Sequence, residues 1–197
     1  MDERIVWKLR WLVWGIVWIL IILVLTNGGF FARQINYWWQ HDIMNKEFEV
    51  DDIAGIPNQI VIKKIGVQAP LVYADTVKEP LLQKALENGV VHYLGTANPG
   101  EWGNAYFFGH SSNFPTRPGK YKTVFALLSQ LREGDEISIT DQRGRLFTYR
   151  IFDKKIVKPT QLEVLEQGNG NRKILTLQTS YPLGMAIWRY VVVAELE

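Results

Sequence analysis

The spacing of apolar residues changes character along this chain. Residues 11–32 hold no charged side chain, and Ile16 to Leu25 inside them form an unbroken aliphatic and aromatic run. A helix of about 20 such residues spans the hydrocarbon core of a bilayer, so the pattern predicts one N-terminal transmembrane helix. From residue 58 onward the apolar residues fall in short β-branched and aromatic runs divided by Gly, Pro, Asn and Asp, which predicts strands. The runs are 59–64, 70–73, 90–93, 105–108, 136–140, 146–157, 173–179 and 187–195. Helical spacing returns only at 79–86, 123–131 and 160–165. Between the apolar run and the first strand, the chain is polar and broken by Gly55 and Pro57, as an amphipathic stalk would be. The expected division is an N-terminal stretch 1–10, an anchor 11–32, a stalk or linker 33–57, and a globular domain 58–197. Eight strands with few helices make that domain mainly β, a barrel or a sandwich.

The residues around the apolar run fix its expected orientation. Arg4, Lys8 and Arg10 precede it, and positive charge stays on the cytoplasmic side, which places everything after Arg33 outside the cell. A cleaved signal peptide would end in a small-x-small pattern, whereas Asn27-Gly28-Gly29-Phe30-Phe31 stands there, so an uncleaved single-pass anchor is expected. Trp7, Trp11, Trp14, Trp18, Trp38 and Trp39 all lie before residue 40. Indole rings favour bilayer interfaces, which explains this concentration more simply than a ligand site does.

Composition then narrows the function. A chain of 197 residues with 47% hydrophobic and 21% charged residues is globular, with room for one ordinary domain and an accessory segment. A net charge of +2 provides no broad positive field, so nucleic acid is not an expected partner. The absence of cysteine removes disulfides, thiolate metal sites and thiol nucleophiles.

Three polar residues stand where strands end. His110 follows Tyr106-Phe107-Phe108-Gly109, Ser180 follows Leu175-Thr176-Leu177-Gln178-Thr179, and Arg189 lies within Ile187-Trp188-Arg189-Tyr190-Val191. Strand alternation puts Leu175, Leu177 and Thr179 on one face and Thr176, Gln178 and Ser180 on the other. The turn-forming Tyr181-Pro182-Leu183-Gly184 predicts an antiparallel hairpin, with Ser180 and Arg189 meeting near its mouth. A hydroxyl, an imidazole and a guanidinium together would supply a nucleophile, a proton carrier and a donor to a developing oxyanion. Taken singly, each is more simply a turn former or a surface group.

The motifs themselves resemble a known family. Gly95-Thr96-Ala97-Asn98-Pro99-Gly100-Glu101-Trp102-Gly103-Asn104, followed by Gly109-His110-Ser111, is similar to the His-bearing region of bacterial sortases. Thr176-Leu177-Gln178-Thr179-Ser180, with Arg189 nine residues on, resembles the family's Thr-Leu-x-Thr-Cys motif and active-site Arg, with Ser in place of Cys. Residues 127–137, with their Gly134-Asp135 turn, are also similar, and the likeness covers 58–196 in the family's order. It implies a closed, mostly antiparallel eight-stranded β-barrel. It also implies a transpeptidase that cuts a Leu-Pro-x-Thr-Gly-like sorting signal of exported proteins and passes the acyl chain to a cell-surface amine, either a peptidoglycan-type peptide or a pilin Lys. By resemblance Ser180 takes the nucleophile's place and His110 that of the general acid or base. Arg189 would bind substrate and stabilise the oxyanion, with help from the backbone at Thr179, and residues 157–170 would form the specificity loop. No Asp-Pro-aromatic lid of the pilin-type relatives is evident ahead of the barrel, which favours an anchoring role.

The serine weakens the expected chemistry. A thiol with a pKa of about 8.5 shares its proton with an imidazole of about 6.5 at small cost, and a hydroxyl does not. Serine hydrolases compensate with a carboxylate on the histidine, and nothing in the sequence places one beside His110. Two readings of Ser180 stand open: a Cys→Ser replacement in an ordinary sortase, or a natural serine in a weak enzyme or in a barrel that binds sorting signals without cutting them. A purely structural cell-surface barrel is the third possibility.

Other features carry less. No cofactor is expected. Asp51, Asp52, Glu133, Asp135 and Glu136 could help bind calcium, as in some sortases, but they lack a regular ligand spacing and read as solvated turns. His41, in the stalk, and His92, on a strand edge, have no second ligand at metal spacing, and each reads as a solvated or a core histidine. Gly168-Asn169-Gly170-Asn171 reads as a β-turn, and Arg117, Lys120 and Lys122 as a solvated loop. Phe107, Phe108 and Phe125 read as core.

Overall fold

The structure, a computed structural model, describes residues 3–114, 116–168, 170–182 and 186–197. Among these residues the chain begins with two helices, α1 (Glu3–Thr26) and α2 (Gly28–Tyr37), and a π-helical turn (Trp38–Ile43). The strands are β1 (Gln59–Ile62), β2 (Val67–Tyr73), β3 (Val90–His92), β4 (Gly103–Phe108), β5 (Glu136–Thr140), β6 (Leu146–Val157), β7 (Lys173–Tyr181) and β8 (Trp188–Leu196), with α3 (Glu79–Leu86) between β2 and β3. They close into a barrel in the order β1-β2-β3-β4-β7-β8-β6-β5, sealed by β1 against β5. The pairs β2–β3 and β4–β7 are parallel and the others antiparallel. The closed barrel settles the choice between barrel and sandwich.

Period-2 alternation fills the interior. Ile60, Ile62, Leu71, Phe107, Ile137, Ile139, Tyr149, Ile151, Leu175, Leu177 and Val192 point inward and are buried together. The outer face of β7 is covered as well, because Val164 from the β6–β7 loop packs on Val157, Ile174, Val191 and Val193. Strand limits shift where turns claim the backbone. β1 stops at Ile62 because Lys63–Ile65 coils into a 3-10 turn ending on Gly66, whose φ of 59° suits glycine, and β2 then starts at Val67 to complete the hairpin.

Two expected helices do not form. Residues 123–131 make successive tight turns with one short 3-10 piece, Leu128–Gln130. The amides of Val124, Ala126, Leu128 and Gln130 each reach back three residues, while that of Phe125 donates 2.9 Å to the His110 carbonyl outside the segment. Val124, Phe125, Ala126, Leu127, Leu128 and Leu131 are all buried. The run therefore reflects burial on every side, and it lacks the single apolar stripe of an amphipathic helix. Residues 160–165 similarly yield only the 3-10 turn Leu162–Leu165. The expected turn at Tyr181-Pro182-Leu183-Gly184 falls partly outside the described residues, as does the turn at Gly168–Asn171 through Asn169.

The long apolar helix contains a stretch, Val6–Thr26, with mean hydropathy 2.3 and none of it buried. The uncharged residues 11–32 are split between α1 and α2 by a bend at Asn27. α2 then lies against the barrel. Tyr37 enters the core cluster, Arg33 Nη1 donates to the Gly66 carbonyl at 3.3 Å, Gln34 Nε2 donates to the Ala126 carbonyl at 3.3 Å, and Gln130 Nε2 donates to Gln34 Oε1 at 3.3 Å.

Leu177, fully buried at the centre of β7, tests this assignment of the core. Leu177→Ala should destabilise the folded chain by about 2–5 kcal/mol, read as a lower urea midpoint with an unchanged slope.

Candidate active site

The register of the barrel brings distant stretches of chain together. Ser180 and Arg189 are direct cross-strand partners in the β7–β8 hairpin. Across the other edge of β7, β4 runs parallel, with partners 70 residues apart from Gly103 and Lys173 to Phe108 and Gln178. Two hydrogen bonds carry that alignment beyond the last ladder residue: the Gly109 amide donates to the Gln178 carbonyl at 3.1 Å, and Thr179 Oγ1 donates to the Gly109 carbonyl at 2.8 Å. His110 thus leaves β4 level with Ser180. Three neighbouring strands present His110, Ser180 and Arg189 in one row. The alternation on β7 is as expected, with Leu175, Leu177 and Thr179 inward and Ser180 half-buried on the outer face.

Each member of the row is held from behind. A side chain on Gly109 would come within 2.8 Å of Val124 and Phe125, so only glycine lets residues 123–131 pack directly behind the histidine. Thr179, buried beside Ser180, uses its hydroxyl to fix Gly109 and borders the smaller cavity at Ser180. Arg189 turns its Nη1 onto the loop backbone, donating to the carbonyls of Ala186 at 2.8 Å and Trp188 at 3.2 Å. Gln178, the variable residue of the motif, accepts a short hydrogen bond from the buried Tyr106 hydroxyl.

Burial lowers the His110 pKa from its ordinary value, and the negative field of Glu87 at the end of α3 opposes that shift. The ring's Nε2 lies 3.5 Å from Asn113 Nδ2, and among the described residues no carboxylate is hydrogen-bonded to it. The neutral imidazole is favoured, and a protonated ring would lack the bonded anion that serine hydrolases use.

Ser180 opens on two spaces. A cavity of about 300 Å³ is bounded by Ser180, Ser111, Asn113 and Phe114 together with Thr26 and Asn27 from the end of α1. A smaller one of about 50 Å³ lies between Ser180, Ser111, Tyr190 and Phe30 of α2. No local pattern announces that Thr26, Asn27 and Phe30 reach this cleft, because nothing in sequence links a helix end to a site about 150 residues away. The β6–β7 loop is latched to β4 by Gln167, whose Nε2 donates to the Asn104 carbonyl at 3.1 Å and whose Oε1 accepts from the Asn104 and Ala97 amides at 3.1 Å each. Asn104 returns a bond from Nδ2 to the Val164 carbonyl at 2.9 Å. Gln167 was also missed, since a polar residue in a loop carries no pattern.

The side chains set aside above have ordinary tasks. His92 is buried, with Nε2 2.8 Å from the Ala97 carbonyl and 3.0 Å from Thr96 Oγ1, while His41 stacks on Tyr37. Asp135 pairs with Lys64 at 2.8 Å and Glu136 with Arg150 at 2.9 Å. Among the described residues no group of three or more His, Asp or Glu side chains could hold a metal ion.

Comparison with known proteins fits this geometry. Residues 60–197 match the sortase domain family. A Clostridium perfringens sortase D5 transpeptidase structure is 31% identical, covering 80% of this chain and 86% of its own, with a TM-score of 0.58. Actinomyces oris sortase C-1 is 25% identical over 84% of this chain and 85% of its own, with a TM-score of 0.59. Sortase D of Bacillus subtilis (strain 168) is 28% identical over 134 residues, and the matched region spans 59% of that protein's length. With the family's barrel, its motif order and its domain matched over most of the chain, this protein belongs to the sortase family.

Proposed function

We propose that the row His110–Ser180–Arg189 is an acyl-transfer site, and that the protein acts on a Leu-Pro-x-Thr-Gly-like sorting signal at the outer surface of the cell membrane. The level placement of the three residues on adjacent strands is the observation that carries this reading. The helix containing Val6–Thr26 would anchor the chain, with Arg4, Lys8 and Arg10 keeping the N-terminus in the cytoplasm and the barrel outside.

In the proposed reaction Ser180 Oγ attacks the carbonyl carbon after the signal's Thr while His110 takes the hydroxyl proton. Arg189, released from the Ala186 carbonyl, donates to the oxygen that becomes negative. The C–N bond breaks as His110 returns the proton to the leaving amine, which leaves an ester on Ser180. An incoming amine then attacks the ester carbonyl and passes a proton through His110 back to Ser180 Oγ, which restores the hydroxyl and completes a new amide. The amine comes from a peptidoglycan-type peptide or a pilin lysine.

The serine makes this a slow cycle. Sortases are in general cysteine transpeptidases, whereas the hydroxyl here must yield its proton to a half-buried imidazole whose pKa is already lowered. The lack of a hydrogen-bonded carboxylate on His110 among the described residues also supports a second reading, in which the groove binds the sorting signal and does not cut it.

Assaying both forms with a sorting-signal peptide and an amine acceptor separates these readings. Ser180→Cys should exceed the serine form by about a hundredfold or more in acyl transfer, within the range that proton-transfer and nucleophile effects reach. If both forms are inert but hold the peptide, the binding reading stands. A folded Cys form that neither cuts nor binds any candidate peptide removes the transpeptidase assignment.

The histidine provides a second check. Because burial lowers the His110 pKa, its ring signal in an NMR titration of the full chain should move at a pH below the ordinary range for histidine. Glu87→Gln removes the opposing field and should lower the midpoint further. Stability follows the same sign. Above the unfolded pKa of about 6.5 the group contributes nothing, and as the pH falls below it the unfolded chain takes up the proton first, so the fold loses stability.

A further inference from the structure

α2 and the π-helical turn have two faces, and only one of them meets protein. Gln34, Tyr37 and His41 share the side turned to the barrel, where Tyr37 is 7% exposed and ring-stacked with His41 and Phe48. Ala32, Ile35, Trp38 and Trp39 recur at intervals of three and four on the other side. Ile35 is 65% exposed, Trp38 52% and Trp39 54%. Two indoles and an isoleucine in water on a helix so firmly seated on its other face call for a covering surface.

Chain connectivity identifies that surface. The apolar stretch of α1 ends at Thr26, one residue before the bend, and α2 begins at Gly28. A helix of this length is only about 15 Å long, and lying along the surface it would keep Trp38 and Trp39 close to the plane in which the span leaves the hydrocarbon. Indole rings favour that zone, and an amphipathic helix lies in it with its apolar side down. The cleft is at the same level, since Thr26 and Asn27 line the cavity that contains Ser180. Beyond Phe114 on the rim, Arg117 and Lys120 are exposed on the same loop and would face anionic headgroups.

We propose that the face formed by Ala32, Ile35, Trp38 and Trp39 docks in the headgroup zone of the bilayer that α1 spans. Through the contacts of Arg33, Gln34 and Tyr37 with the barrel, it holds the Ser180 cleft against the lipid surface. α2 is thus a lipid-seated bracket that fixes the tilt of the barrel, where a free stalk would leave it unset. The inference rests on the anchoring role of α1 and is independent of which atom attacks the substrate.

The chain's freedom from cysteine makes the test direct. Single-cysteine variants of the full chain, Ala32→Cys on the docking face, Ile187→Cys on the cleft rim and Arg143→Cys on the far β5–β6 turn, would carry a fluorophore in vesicles of phosphatidylcholine and phosphatidylglycerol with a headgroup-borne nitroxide quencher. Labels at 32 and 187 should be quenched severalfold more than the label at 143, and adding Trp38→Ala with Trp39→Ala should remove most of the excess at 187. Equal quenching at all three positions, or a label at 32 no more quenched than that at 143, overturns the proposal. Quenching at 32 but not at 187 overturns the placement of the cleft. Extraction of the unlabelled chain by alkaline carbonate tells the two levels apart: a chain that washes off was never anchored, whereas a retained chain with an unquenched label at 32 is anchored without docking.

Discussion

The parallel pairing of β4 with β7 is the constraint on which the rest of this molecule depends. Parallel neighbours cannot be joined by a tight turn, so β5, β6, the segment 123–131 and the loop over β7 must all be accommodated between them. Register leaves no tolerance, because a slip by one residue would turn Leu175 and Leu177 out of the core and Ser180 into it. The apolar alternation that fills the barrel therefore also sets the height of Ser180 relative to His110. Packing and chemistry are specified by the same side chains.

The polar devices at the cleft extend that ladder where strands end. Thr179 takes over from the sheet by bonding the Gly109 carbonyl, and the Phe125 amide captures that of His110. Such bonds sit in buried surroundings, where losing one partner leaves an unsatisfied group. The histidine is thus rigid at its backbone while its ring answers mainly to burial. Its electrostatics reflect the same economy: Glu87 acts at a distance across α3 and Asn113 touches the ring weakly.

Much of this was legible in the sequence because it depends on short-range periodicity. β5 and β6 begin and end where alternation predicts, as does α3, and the hairpin that pairs Ser180 with Arg189 follows from two strands and a turn. The row of His110, Ser180 and Arg189 was legible only through motif resemblance, since no local pattern says that residue 110 will stand beside residue 180. The segment 123–131 misled because complete burial gives an apolar run whatever the backbone does, and Gly109 demanded that the run fold tightly behind it. Phe30 and Gln167 escaped notice for the opposite reason: their partners are about 80 and 60 residues away or more, and each acts as an isolated side chain.

Gln167 holds the loop over β7 from its side chain. One carboxamide occupies three main-chain groups of the β3–β4 region, so the covering loop is buttoned to the barrel by a side chain and not by a rung of the sheet. Unfastening it breaks no strand pairing. With the Asn104 bond to the Val164 carbonyl and the packing of Val164, the carboxamide fastens the loop over β7 independently of the strand pairing that closes the barrel, so a change at Gln167 alters the cover and leaves the ladder beneath it whole.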